Sequence, residues 1–93
     1  MPELSRFFGI IISVFFEEHD PPHIHASHGS RRRPEWVAQI AIRNGEVLAG
    51  YVPVRDLRLV RRWIRLHPEE LLEAWDVAQA GGTPKKIKPL RVR

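Results

Sequence analysis

Ninety-three residues with 43% hydrophobic and 28% charged side chains suit one small globular domain and exclude a disordered chain. No cysteine is present, which excludes disulfide staples and thiolate zinc sites. The net charge of +4 is moderate but unevenly spread: Arg31, Arg32 and Arg33 form one basic block, Lys85, Lys86, Lys88, Arg91 and Arg93 another, and Glu69, Glu70, Glu73 and Asp76 an acidic counter-stretch.

Phe7 to Phe16 is the longest apolar run, interrupted by Gly9 and Ser13. It is too short to span a bilayer as a helix, and Glu17 and Glu18 follow it where a signal peptide needs a small-residue cleavage site. The expectation is therefore a cytoplasmic protein without a membrane segment. From Gly9 onward, alternation puts Ile10, Ile12, Val14 and Phe16 on one face of a strand and Ile11, Ser13, Phe15 and Glu17 on the other. Two apolar faces predict a central strand. His19-Asp20-Pro21-Pro22 ends it, because consecutive prolines cannot continue a ladder. A short strand over His23 to His28 follows, with Ile24 and Ala26 on one face and His23, His25 and Ser27 on the other.

Gly29 to Pro34 reads as an exposed basic loop. Two β-runs then flank Asn44-Gly45, a dipeptide that predicts a type I′ hairpin turn pairing Ile42 with Val47, Ile40 with Ala49 and Ala38 with Tyr51. After Pro53 the apolar period becomes helical. Leu57, Leu59, Val60, Trp63, Ile64 and Leu66 occupy one half of the wheel, and Arg55, Arg58, Arg61, Arg62 and Arg65 the other. Pro68 opens a second helix at its favoured first position, Glu69 and Glu70 complement its dipole, and Gly81-Gly82 stop it. The expected architecture is α+β: one domain over 1–93, an antiparallel sheet of about four strands within residues 5–52, two C-terminal helices within 54–80 packed on it, and a basic tail over 83–93.

Four of the five histidines fall in the segment HDPPHIHASHG. Histidine titrates near neutrality and is the commonest metal ligand, so the cluster marks a candidate site with three open readings. As a metal site for a divalent ion such as zinc, His23 and His25 project from one strand face, with His19, His28 or Asp20 completing the set. As a metal-free pair, His23 and His25 act as base and acid on a ribose 2′-hydroxyl while Asp20 orients one imidazole. As structure, the segment is a proline-fixed turn with packed histidines. The arginine face of the first helix, Arg55, Arg58, Arg62 and Arg65, offers bidentate guanidinium donors to an acidic protein or to RNA backbone.

The order S-R-F-F-G-I, H-D-P-P-H-I-H, L-V-R-R-W-I-R-L-H-P-E-E-L-L-E-A-W and K-I-K-P-L, from Pro2 to Leu90, resembles a family of small prokaryotic proteins catalogued as domain of unknown function 4160. The D-P-P-H-x-H element and the paired Trp63 and Trp75 carry the resemblance. It implies a bacterial, cytoplasmic component of a toxin–antitoxin-like module, bound to a small cognate protein; the histidine cluster adds the expectation that this component acts on RNA. The alternative expectation is a non-catalytic metal-binding or nucleic-acid-binding interaction domain.

Overall fold

The computed structural model describes residues 2–93. Five strands, β1 (Glu3–Phe7), β2 (Ile10–Ser13), β3 (His23–Gly29), β4 (Pro34–Ala41) and β5 (Val47–Gly50), precede two helices, α1 (Val54–Leu66) and α2 (Pro68–Gln79). Each strand pairs antiparallel with its neighbour in the chain, giving a meander of order β1-β2-β3-β4-β5. The fold is α+β with C-terminal helices, as expected, but the sheet has five strands rather than about four.

The extra strand comes from a hairpin hidden inside the apolar run. Phe7 pairs with Ile10 across a two-residue turn in which Phe8 and Gly9 both have positive φ, 49° and 80°. Two positive φ values in a two-residue loop are the signature of a type I′ turn. Phenylalanine is not a turn-forming residue, so the sequence pattern conceals the break. Gly9 is required for space as well as for conformation, because a Cβ there would lie 2.6 Å from His28 Nε2. β2 ends at Ser13, earlier than alternation suggests, and Phe16 lies at the surface, 43% exposed.

The β4–β5 connection also departs from its expected form. Ile40 pairs with Val47, Gln39 with Ala49 and Ala38 with Gly50, and the register shifts between Gln39 and Ile40. Of the Asn44-Gly45 pair only Gly45 has positive φ, 72°. Ile42 is buried (2% exposed), and its backbone N–H donates to Pro22 O at 3.0 Å, continuing the β3–β4 pairing past Ala41. Ala41 N–H then bonds Glu46 O at 2.8 Å, and Asn44 Oδ1 accepts from Glu46 N–H at 3.0 Å.

One face of the sheet carries the core. Ile10, Ile12, Ile24, Ala26, Trp36, Ala38 and Ile40 pack with Leu59, Val60, Trp63 and Ile64 of α1 and with Leu71, Ala74, Trp75 and Ala78 of α2. Asp56, the lone acid in α1, is buried and accepts a hydrogen bond from Trp36 Nε1 at 3.1 Å. The C-terminal tail lies along β1: Ile87 N–H donates to Leu4 O at 2.8 Å, Trp63 Nε1 donates to Lys88 O at 2.8 Å, and Ile87 and Leu90 are buried. α2 ends in a Schellman arrangement, Gly81 N–H to Ala78 O and Gly82 N–H to Val77 O, which makes Gln79 its last residue.

Glu3 fastens β1 to the basic loop. It accepts from Arg6 Nη2 at 2.9 Å and from Arg31 Nη2 at 2.6 Å. The hydrogen bond from Arg6, then that from Arg31, hold its carboxyl down from the ordinary 4.5 to about 2. A depressed carboxylate pKa contributes stability that is present above about pH 4.5 and is lost as the pH falls towards 2. Wild type should therefore melt above Glu3→Gln at neutral pH, and thermal melts should show the gap closing between pH 4.5 and 2. A gap independent of pH would show that these pairs do not stabilise the fold.

Candidate metal centre

The β2–β3 connection folds back across the start of β3. Its path is fixed by Gln79 at the end of α2, whose Nε2 donates to Phe15 O at 2.8 Å and whose Oε1 accepts from Glu18 N–H at 2.7 Å. Glu17, between these anchors, has a φ of 56°, a conformation that a non-glycine residue adopts only where its surroundings enforce it. Glu18 is thereby brought over the strand face that carries His23 and His25.

His23 Nε2, His25 Nε2 and Glu18 Oε1 converge, all within 4.8 Å of one another. His23 Nε2 lies 3.2 Å from Glu18 Oε1, and His25 Nε2 hydrogen-bonds the same oxygen. His23 Nδ1–H donates to Pro21 O at 2.8 Å. That bond fixes the proton of a neutral ring on Nδ1, so Nε2 turns a lone pair towards a carboxylate. Two acceptors face each other there, and either a second proton or a cation must lie between them. A ring N–H given to a backbone carbonyl is also the usual support for a histidine ligated to metal through its other nitrogen.

Packing holds both rings. His25 stacks on Phe15 with ring centroids 3.8 Å apart and planes 17° from parallel, and His23 packs against Trp75 at 5.0 Å. The side chain of His23 is 7% exposed, whereas those of His25 and Glu18 are 21% and 24% exposed. One donor is seated in the core and two border solvent. A three-ligand site of this kind retains room for water or substrate, the arrangement of catalytic rather than purely structural metal sites. Partial burial pushes the Glu18 carboxyl up, but its hydrogen bond to His25 and the charges of His25 and His23 outweigh that and leave it lowered. It is an anionic oxygen donor at neutral pH.

Of the residues singled out in the sequence, the fold unites His23 and His25. His19 and Asp20 are exposed on the connection, outside the trio of converging donors. His28 lies further along β3, bonded through Nδ1 to Glu35 and stacked near Trp36. Glu18 is the donor that spacing alone does not reveal, because its approach depends on a turn pinned from 61 residues away. Its one sequence signal is its position just before H-D-P-P-H-I-H.

Arg55, Arg58, Arg62 and Arg65 line a common groove on the outer side of α1 with Leu59, and Arg93 from the tail joins them. The ion-paired arginines among the described residues are Arg6 and Arg31, so this group's charge is directed to solvent.

A family profile, Domain of unknown function (DUF4160), matches residues 9–76. The chain belongs to this family. The match covers well over half of the sequence and contains Glu18, His23, His25 and Trp75, so the candidate centre lies inside the DUF4160 domain, whereas Gln79 lies just beyond the matched segment. No curated protein and no solved structure matches the chain.

Gln79→Ala removes both hydrogen bonds of the anchor and leaves part-buried partners unsatisfied. Chemical denaturation should show a loss of about 1–3 kcal/mol. Backbone amide exchange should accelerate selectively at Glu18. Unchanged exchange at Glu18 would mean that the turn holds itself in place without α2.

Proposed function

We propose that this chain is a divalent-metal-binding protein with Glu18, His23 and His25 as its ligands, and that it uses this centre on RNA as the small member of a bacterial toxin–antitoxin-like module. The observation that carries the metal reading is the convergence of three donor atoms with His23 Nδ1 already committed to Pro21 O. Two imidazoles and one carboxylate suit zinc or another first-row divalent ion. Such an ion, when bound, supplies Lewis-acid activation of a water or of a phosphoryl oxygen. The cytoplasmic setting and the cognate small protein are what the DUF4160 resemblance implies, and the RNA substrate rests on the histidine cluster read as chemistry near neutrality. No helix among the described residues is long and apolar enough to cross a membrane.

A metal-free acid–base pair draws less support from the same geometry. Both Nε2 atoms face Glu18, and His23 Nδ1 is taken by a backbone carbonyl, so His23 has no ring nitrogen free for a substrate. Asp20, exposed on the turn, is outside the trio that the orienting role requires.

Titration of zinc or nickel above pH 7 should raise the melting temperature by mass action. At a hundredfold excess over Kd the gain is about 2.7 kcal/mol, a shift on the order of 10 °C for a domain of this size. Glu18→Gln and His25→Ala, both at partly exposed positions, should each remove the shift. No shift in wild type at saturating metal would end the metal reading.

The arginine groove is the surface we assign to the cognate protein, with an acidic patch as its complement. Reversing Arg58 and Arg62 to Glu should weaken that complex and its salt dependence while leaving melting nearly unchanged. Full-strength association of the double variant would show the groove to be solvated surface only.

A further inference from the structure

We infer that the face of the sheet opposite the helices seats one nucleoside of a single-stranded RNA directly beside the Glu18–His23–His25 centre. The inference rests on the RNA reading given above and supplies its substrate class: an unpaired strand, held by a base rather than by its backbone alone.

The helices cover the face carrying Ile10, Ile12, Ile24, Ala26, Ala38 and Ile40. Residues of the opposite parity, among them Ile11, Ser13, Ser27, Val37, Gln39 and Ala49, line a trough of about 290 Å³. Strand register orders this trough. Ser13, His25, Gln39 and Ala49 form one row across β2 to β5, and Ile11, Ser27 and Val37 form the next. Phe15 and His25 belong both to the trough and to the candidate centre, so the two are continuous. Arg31 and Pro34 border the trough where β3 passes into β4, beyond the second row.

Size, chemistry and charge favour one occupant. A volume of about 290 Å³ lies just under the roughly 300–1,000 Å³ of small-molecule pockets, the scale of one base with its ribose. The floor is apolar, Ile11, Val37 and Ala49, as a base face requires, and the stacked Phe15–His25 pair extends it with aromatic surface. Ser13, Ser27 and Gln39 offer hydroxyl and amide groups that both donate and accept, the means of reading the edge of an unpaired base. Arg31 borders the trough, exposed and paired with Glu3, and the exposed Arg32 and Arg33 follow it in the loop. An apolar peptide matches the floor but gains nothing from a basic loop beside it; a polyanion carrying flat apolar groups matches both. A paired duplex is excluded because its bases stay stacked inside the helix and cannot enter a trough one nucleoside wide.

The α1 arginine groove lies on the far side of the helical layer from this trough, since α1 turns Leu59, Val60, Trp63 and Ile64 towards the sheet and the arginines away from it. RNA in the trough and an acidic protein on α1 therefore do not compete for one surface.

The test is fluorescence anisotropy of a labelled short single-stranded oligoribonucleotide with the full chain, in chelator, beside a hairpin duplex of the same composition. Wild type should bind the single strand at least about tenfold more tightly than the duplex, the scale of one well-stacked base. Gln39→Ala and, separately, Val37→Asp should lose about 5- to 100-fold in single-strand affinity. Val37 is 54% exposed and faces the trough, so its variant should melt close to wild type; Gln39→Ala adds no charge and keeps the test open if Val37→Asp does not fold. Equal affinity for single strand and duplex, or undiminished binding by the folded variants, overturns the seat. So does the case in which Val37→Asp abolishes capture of the cognate protein but spares RNA binding, for the face then belongs to the partner. Because chelator removes any ion, single-strand binding that survives alongside a failed metal titration keeps the seat and discards the metal; a metal shift without trough-dependent RNA binding does the reverse.

Discussion

Gln79 fastens the end of α2 to the β2–β3 connection. A side-chain amide is both donor and acceptor, and here the two roles are divided between Phe15 O and Glu18 N–H, which lie on either side of a residue with positive φ. Ordering the four residues from Phe15 to Glu18 costs on the order of 1–2 kcal/mol each in backbone entropy. Two part-buried hydrogen bonds, at about 0.5–1.5 kcal/mol net apiece, do not offset that alone. The stacking of Phe15 on His25 and the apolar area it buries contribute further. The centre is thus stabilised by packing and aimed by hydrogen bonds. A cation bound only in the folded state adds to the same balance.

Position of the helix end matters to this arrangement. The two glycines after Ala80 close α2 by satisfying the carbonyls of Val77 and Ala78, so the helix stops with Gln79 in its last turn. Inserting or deleting one residue of α2 ahead of Gln79 would rotate that side chain by about 100°, away from the β2–β3 connection. The cap keeps Gln79 in helical backbone, and the helix before it sets the direction of the side chain.

Much of this was legible in the sequence, and the parts that were not share a cause. The placement of His23 and His25 on one strand face, the arginine-rich outer side of α1 and the stop at Gly81-Gly82 all follow from periodicity or from local backbone chemistry. The Phe8-Gly9 hairpin was hidden because its first turn residue is a phenylalanine inside an apolar run, where composition argues for continuity. The Asn44-Gly45 turn was over-read: the loop closes one residue further out, at Ala41 and Glu46, and an irregularity between Gln39 and Ile40 takes up the register, which a dipeptide preference does not encode. Glu18 was out of reach for the same reason. Its place is set by Gln79 across 61 residues, and no spacing rule spans that separation.

The histidine-rich segment is better understood as two sites than as one. Strand alternation sends His28 to the opposite parity from His23 and His25, and its ring fills the space over Gly9 beside Trp36 while Glu35 takes its Nδ1. That imidazole closes the β1–β2 turn. Its neighbours on the strand face a carboxylate and a stacked aromatic ring. Density of histidine in a sequence therefore overstates the number of ligands whenever the segment is a strand, since at most every second residue can point to one centre. What selects among those remaining is the approach of a second element, and here only the turn carrying Glu18 makes that approach.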